Sequence, residues 1–232
     1  MVGAVVTTSP TSLSPRAWCA ACRRARSMCW CAALRPFGVG FELALLVHPK
    51  ESRVAIGTAR LVHRSIVGSH LLVGERFEDD PRLARLLERP GLHPLILYPS
   101  PAALDLTTAT RDEACAFIPR GRVPFVILVD GTWTTAKKLL RLAPRLMTLP
   151  ALRFTPSTPA RYGQLRKEPR PECWSTLESV HHVIDRFDAL GLAKSPAGRA
   201  HDHLLDLLER TIERQLAFEP PEHRAAPRGE RR

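Results

Sequence analysis

Six residues, Pro124-Phe125-Val126-Ile127-Leu128-Val129, make an apolar run that stops abruptly at Asp130-Gly131-Thr132-Trp133. Thr134 to Leu142 then reads as a helix, and Pro124 and Pro144 bracket the unit. A short β-rich apolar run followed by a helical pattern is a strand–loop–helix unit with its strand buried. In open α/β sheets ligands bind where loops leave the carboxyl ends of the strands. Asp130 sits at such an end, and Gly131 lets backbone approach a ligand closely. Lys137 and Lys138 lie one to two turns into the helix, near enough to attract an anion. A plainer reading of the same residues has Asp130 or Thr132 capping the helix and Trp133 plugging the core.

The flanking sequence repeats the alternation. Strands are expected at 40–48, 69–73, 94–98 and 151–154. Helices are expected at 79–89, 110–117, 175–190 and 198–218, and a further one begins within 54–61. Ser175-Thr176-Leu177-Glu178 is a capping box opening the helix at 175. This order predicts an α/β fold, a mostly parallel sheet flanked by helices. Between them, 155–173 is Pro- and Arg-rich with no periodicity, and carries Arg161, Tyr162, Arg166, Lys167 and Arg170. A long irregular basic loop inside a domain is more often functional than filler. Residues 1–16 and 219–232 have the composition of disordered tails.

Charge points the same way. The 232 residues carry a formal charge of +11. Such an excess suits a polyanionic partner, nucleic acid first, although an Arg-rich composition alone would also produce it. No apolar run approaches the length of a membrane span, and Met1 to Pro15 lacks the basic leader and apolar core of a signal peptide. A soluble cytoplasmic protein is expected, so the six cysteines are not read as a disulfide framework.

Four of those six fall in one short segment: Cys19 and Cys22, then Cys29 and Cys31. Paired cysteines supply the four thiolates that a tetrahedral Zn²⁺ requires. Residues 17–36 therefore read as a structural zinc knuckle with no open coordination position, ahead of an α/β domain at 37–218. An iron–sulfur cluster or metal-free thiols are the alternatives. Cys115 and Cys173 stand alone and read as small core residues.

There is no G-x-G-x-x-G, no P-loop and no Ser-His-Asp hydrolase elbow. An ordered set of motifs is present instead. The four-cysteine cluster is followed by His48-Pro49-Lys50-Glu51, Gly57-Thr58-Ala59-Arg60-Leu61 and Leu97-Tyr98-Pro99-Ser100. Then come Asp130-Gly131-Thr132-Trp133, Arg161-Tyr162 with Arg166, and Ser175-Thr176-Leu177-Glu178. In this order the chain resembles the DTW-domain family over roughly Trp18 to Leu190. Val47 before His48 and Trp174 before Ser175 depart from the family pattern, and neither removes a reactive group.

The resemblance implies a tRNA-uridine aminocarboxypropyltransferase. Such enzymes move the 3-amino-3-carboxypropyl group of S-adenosylmethionine to the ring imino nitrogen of a uridine and release 5′-methylthioadenosine. A variable-loop uridine is favoured over a D-loop one. The resemblance also implies a SPOUT-like fold with a knotted C-terminal loop. Site roles follow from it. Asp130 is the base or the group that orients the uridine edge, or it stabilises the sulfonium. Thr132 and Trp133 complete the catalytic set, with Trp133 stacking on adenine or on the target base unless it is a core plug. Leu97, Tyr98, Pro99, Ser100, Gly131, Trp174, Ser175, Thr176 and Glu178 cradle S-adenosylmethionine. Arg60, Lys137, Arg161, Tyr162, Arg166 and Lys167 meet the tRNA or the methionyl carboxylate. His48 and Glu51 read as a structural pair. Two other readings stay open: a methyltransferase acting on RNA with the same co-substrate, and a zinc-bearing RNA-binding module without catalysis.

Overall fold

A strand with an unbroken apolar run needs cover on both faces, and β5 (Val123–Asp130), apolar up to Val129, has it over its buried centre. The structure is a computed structural model that describes residues 17–22, 24–52, 57–161 and 173–218. The other strands are β1 (Glu42–Val47), β2 (His70–Val73), β3 (Leu92–Leu97), β4 (Leu104–Asp105) and β6 (Ala151–Arg153). They form one sheet in the order β2-β1-β5-β3-β6-β4, and every pairing is parallel.

Alternate residues along these strands serve two cores, as the pleat dictates. Leu43, Leu45, Val126 and Leu128 face one way, and Ala44, Leu46, Phe125 and Ile127 face the other. Among the described residues eight α-helices follow in chain order: α1 (Pro49–Ser52), α2 (Thr58–Ser65), α3 (Pro81–Leu87), α4 (Arg111–Phe117), α5 (Trp133–Arg141), α6 (Pro144–Met147), α7 (Thr176–Ala189) and α8 (His203–Phe218). Leucines and other apolar residues of α2, α4, α7 and α8 cover the first face, and those of α3, α5 and α6 cover the second. Each fully buried leucine or phenylalanine contributes about 1.5–3 kcal/mol.

The caps are local and agree with the sequence. Asp80 accepts from the Arg82 backbone N–H ahead of Pro81. Thr110 with Glu113, and Ser175 with Glu178, form reciprocal capping boxes.

Three details differ from expectation. The last helix does not begin at Gly198. Gly198 and Arg199 both adopt left-handed backbone conformations (φ 59° and 54°), and α8 starts only at His203. Arg199 is held there by two carboxylates, Asp185 and Asp202. Second, Cys115 is exposed, not a core residue, because α4 turns Ala114 inward and the next position points away. Third, β4 joins the sheet edge through a two-residue pairing too short to leave a periodic signal.

The expected disordered tails at 1–16 and 219–232 lie outside the described residues. Among the described residues no helix is long and apolar enough to cross a membrane.

Candidate active site

The topology singles out one edge. The chain leaving β1 goes to β2 on one side, whereas the chain leaving β5 goes to β6 on the other. Connections that diverge from neighbouring strands open a crevice at the carboxyl end of a parallel sheet. Val47, the last residue of β1, is in register with Asp130, the last of β5. His48 follows Val47, and its backbone N–H lies 3.5 Å from the Asp130 carbonyl oxygen.

Across this crevice lies the N-terminus of α7. Thr176, its first residue, donates its hydroxyl to Oδ1 of Asp130. The carboxylate therefore sits at the positive end of a helix of 14 residues. Asp130 does not cap α5; Thr132 does, accepting from the Thr135 N–H at 3.2 Å. Gly131 has a steric reason to be glycine: an added Cβ would stand 3.2 Å from Thr135 Cβ and Cγ2. Trp133 is 44 % exposed at the start of α5, so it is not a core plug. Its indole Nε1–H donates to Cys173 Sγ at 3.3 Å, bringing the chain just before α7 beside the loop after β5. Cys173 is thus half-buried under an indole edge.

The loop after β3 reaches the same edge. Tyr98 donates its N–H to the Leu152 carbonyl at 2.9 Å. Beyond Leu97 and Pro99, Ser100 Oγ accepts from the Ala102 N–H. Trp174 is fastened by its Nε1–H to the Thr158 carbonyl at 2.9 Å and packs against Phe154 and His182. Burial pushes the His182 imidazole below its ordinary pKa, and Arg186 adds to this.

Glu178 is the most constrained of the predicted site residues. It is only 6 % exposed. Oε2 accepts from the backbone and hydroxyl of Ser175, and Oε1 accepts from the Arg161 N–H at 2.7 Å. Its carboxylate thus holds the irregular loop down on α7. Arg161 in turn pairs with Glu209 on α8. Arg60 donates to the Ser52 carbonyl at 2.9 Å, on the β1 side of the crevice. Lys137 is exposed on α5. Tyr162, Arg166 and Lys167 lie outside the described residues.

Sequence reading missed one connection here. His48 is buried (3 % exposed), and its Nδ1 accepts from the Lys50 backbone N–H at 3.1 Å. The ring proton is then on Nε2, 3.6 Å from Glu75, whose other oxygen is 3.5 Å from Lys138 Nζ. The chain His48–Glu75–Lys138 braces the end of β1 against α5. His48 signalled itself by ending an apolar run; Glu75 carried no local signal at all.

The four cysteines converge. Cys19 and Cys31 sulfurs are 3.8 Å apart, Cys22 and Cys29 sulfurs are 3.7 Å apart, and all four lie within 4.8 Å of one another. A tetrahedron with Zn–S of about 2.3 Å has edges of about 3.8 Å. The set fits a single tetrahedral ion, whereas a polynuclear cluster would hold its thiolates farther apart. Backbone N–H groups of Cys22 and Ala21 lower the Cys19 thiol to about 6, and burial pushes Cys31 up to about 12. A short hairpin bridged between Trp18 and Ala25 presents the first pair. The segment is fastened to α8 by Arg214, donating to the Cys29 carbonyl, and by His203, bonded to the Ala33 carbonyl.

A parallel α/β sheet with a carboxylate at its switch point, carrying a four-cysteine knuckle on a C-terminal helix, defines the class. The chain belongs to the DTW domain family, whose model matches residues 16–216. Named relatives include tRNA-uridine aminocarboxypropyltransferase 2 of Drosophila melanogaster, 29 % identical over 174 residues, covering 72 % of this chain and 64 % of the relative. The protein of that name from Mus musculus is 31 % identical over 167 residues, with 69 % and 53 % covered. The Macaca fascicularis protein is 27 % identical over 166 residues, with the same coverage. The chain spans about half to two thirds of the length of these relatives. No solved structure matches it.

Proposed function

We propose that this protein is a tRNA-uridine aminocarboxypropyltransferase. It transfers the 3-amino-3-carboxypropyl group of S-adenosylmethionine to the ring imino nitrogen of a tRNA uridine, with a variable-loop uridine favoured over a D-loop one. The observation that carries this is the Asp130 carboxylate at the switch-point edge, bonded to Thr176 at the start of α7. The named relatives support it, as does the +11 charge.

S-adenosylmethionine supplies an already electrophilic carbon through its sulfonium. The residues suit such a co-substrate. Trp133 offers an exposed indole face. The backbone of Leu97 to Ser100 and of Trp174 to Thr176 lines the crevice, and the first turn of α7, with Ser175 and Glu178 fixing its cap, attracts a carboxylate. Gly131 keeps the approach to Asp130 open. Asp130 orients the uridine edge and takes its imino proton as the nitrogen–carbon bond forms and the carbon–sulfur bond breaks. The sulfur electron pair leaves with methylthioadenosine. Thr176 fixes the carboxylate's rotation, so that orientation is set before substrate arrives. Arg60, Lys137 and Arg161 meet phosphates, and so do Tyr162, Arg166 and Lys167.

In this reading residues 17–36 are a zinc-bearing knuckle, residues 37–218 the catalytic domain, and the fold is SPOUT-like with a knotted C-terminal loop. The all-parallel sheet is consistent with it. Mass spectrometry of nucleosides from unmodified tRNA, incubated with the protein and S-adenosylmethionine, tests the reaction. An aminocarboxypropyl-uridine with release of methylthioadenosine supports it. A methylated uridine would replace it with a methyltransferase. Tight binding of tRNA and S-adenosylmethionine with no product would leave an RNA-binding module.

A further inference from the structure

One cleft lies away from the carboxyl edge of the sheet. It lies between the knuckle and α8, about 300 Å³, and is lined on one side by Cys29, Ala32, Ala33 and Arg35 and on the other by α8. The α8 residues facing it are His203, Asp206, Arg210 and Arg214, spaced three and four apart and therefore on one stripe of the helix. Arg35 closes the far wall. Three arginines and a histidine thus face one carboxylate, Asp206.

Two of these side chains are built into the wall: Arg214 holds the Cys29 carbonyl, and His203 is bonded to the Ala33 carbonyl. Arg35 and Arg210 have no ion pair or hydrogen bond among the described residues. Of the acidic side chains of α8, Asp206 lines the cleft and Glu209 binds Arg161. The helix also connects the cleft to the site, because α8 carries both the knuckle and the contact to Arg161.

We infer that the cleft between the knuckle and α8 is a second contact surface for the RNA, in which Arg35, Arg210 and Arg214 receive backbone phosphates at a distance from the reacting uridine. This rests on the proposed tRNA substrate. The knuckle then has a mechanical reason to be stapled: it holds the far wall of a phosphate groove at fixed width. Phosphate contacts of this kind position the RNA and carry no base specificity.

The test is a salt titration of tRNA binding by full-length protein, with R35A/R210A and D206N compared with wild type. Arg214 is left in place because it fastens the knuckle. R35A/R210A should weaken binding about tenfold and make the slope of log affinity against log salt shallower by about two. D206N should bind more tightly than wild type, a gain that misfolding does not produce. S-adenosylmethionine affinity and thermal midpoint should stay unchanged in both. If wild type binds tRNA and R35A/R210A leaves both affinity and slope untouched, the groove is not an RNA surface while the proposed activity stands. If wild type does not bind tRNA, the proposed activity fails and takes this inference with it.

Discussion

Thr176 donates its hydroxyl to Asp130 across 46 residues of sequence, so the first residue of α7 sets the orientation of the carboxylate that ends β5. A base aimed in advance acts differently from one that must find its rotamer. Thr176→Val keeps the shape and removes the donor. It should lower kcat about tenfold, leave KM for tRNA nearly unchanged and cost about 1 kcal/mol of stability. Asp130→Asn should lower kcat by at least about a hundredfold while tRNA binding persists. An active Asp130→Asn enzyme would remove Asp130 from the chemistry.

Glu178 holds Arg161 and caps α7 with the same carboxylate. Glu178→Ala therefore loses a helix cap and leaves the Arg161 N–H without its acceptor. Destabilisation of about 3 kcal/mol is expected in denaturant unfolding. The same change releases Arg161 from α7, so KM for tRNA should rise more than kcat falls. Unaltered stability would show that water replaces the carboxylate at no cost.

The knuckle is tested by metal content. One Zn²⁺ per chain is expected by elemental analysis of purified protein. Cys22, the buried member of the set, should be the least replaceable, and Cys22→Ser should lose the ion. Chelation should lower the thermal midpoint, because binding energy for such a site is folding energy. Protein that retains its midpoint and holds no metal would exclude a structural zinc.

Acid stability should report on the turn ahead of α8. Arg199 bonds both Asp185 and Asp202, and its guanidinium holds the Asp202 carboxyl down at about 2, below the ordinary 3.8. A carboxylate depressed on folding contributes stability that is complete above pH ~4 and lost as pH falls toward ~2. Asp202 is half exposed (48 %), and screening reduces the contribution to about 1 kcal/mol. Urea unfolding at pH 4.5 and pH 2 should show a smaller acid loss for Asp202→Asn than for wild type. Equal losses would place the acid sensitivity elsewhere.

Much of the architecture was legible before any coordinates. The apolar run ending at Asp130 is a buried parallel strand, because a run with no polar side must be covered on both faces. The box at Ser175 opens a helix, since its reciprocal bonds close within four residues. The cysteines at 19 to 31 draw together because the segment is short enough to bend them into one tetrahedron.

Tertiary structure decided what those signals left open. Asp130 could have capped its own helix, but Thr132 does so, and the carboxylate reaches Thr176 instead. Gly198 to Phe218 reads as one periodic helix, yet Asp185 on α7 grips Arg199 together with the nearby Asp202, and α8 begins only at His203. His48 finds Glu75, and Arg161 finds Glu209, through contacts that no spacing announces. Periodicity, caps and short-range ligand spacing are local, so one chain segment encodes them by itself. Which carboxylate meets which donor depends on how strands are ordered in the sheet and on which helices then lie side by side. Those choices follow from burying all the apolar faces at once, and only the folded chain makes them.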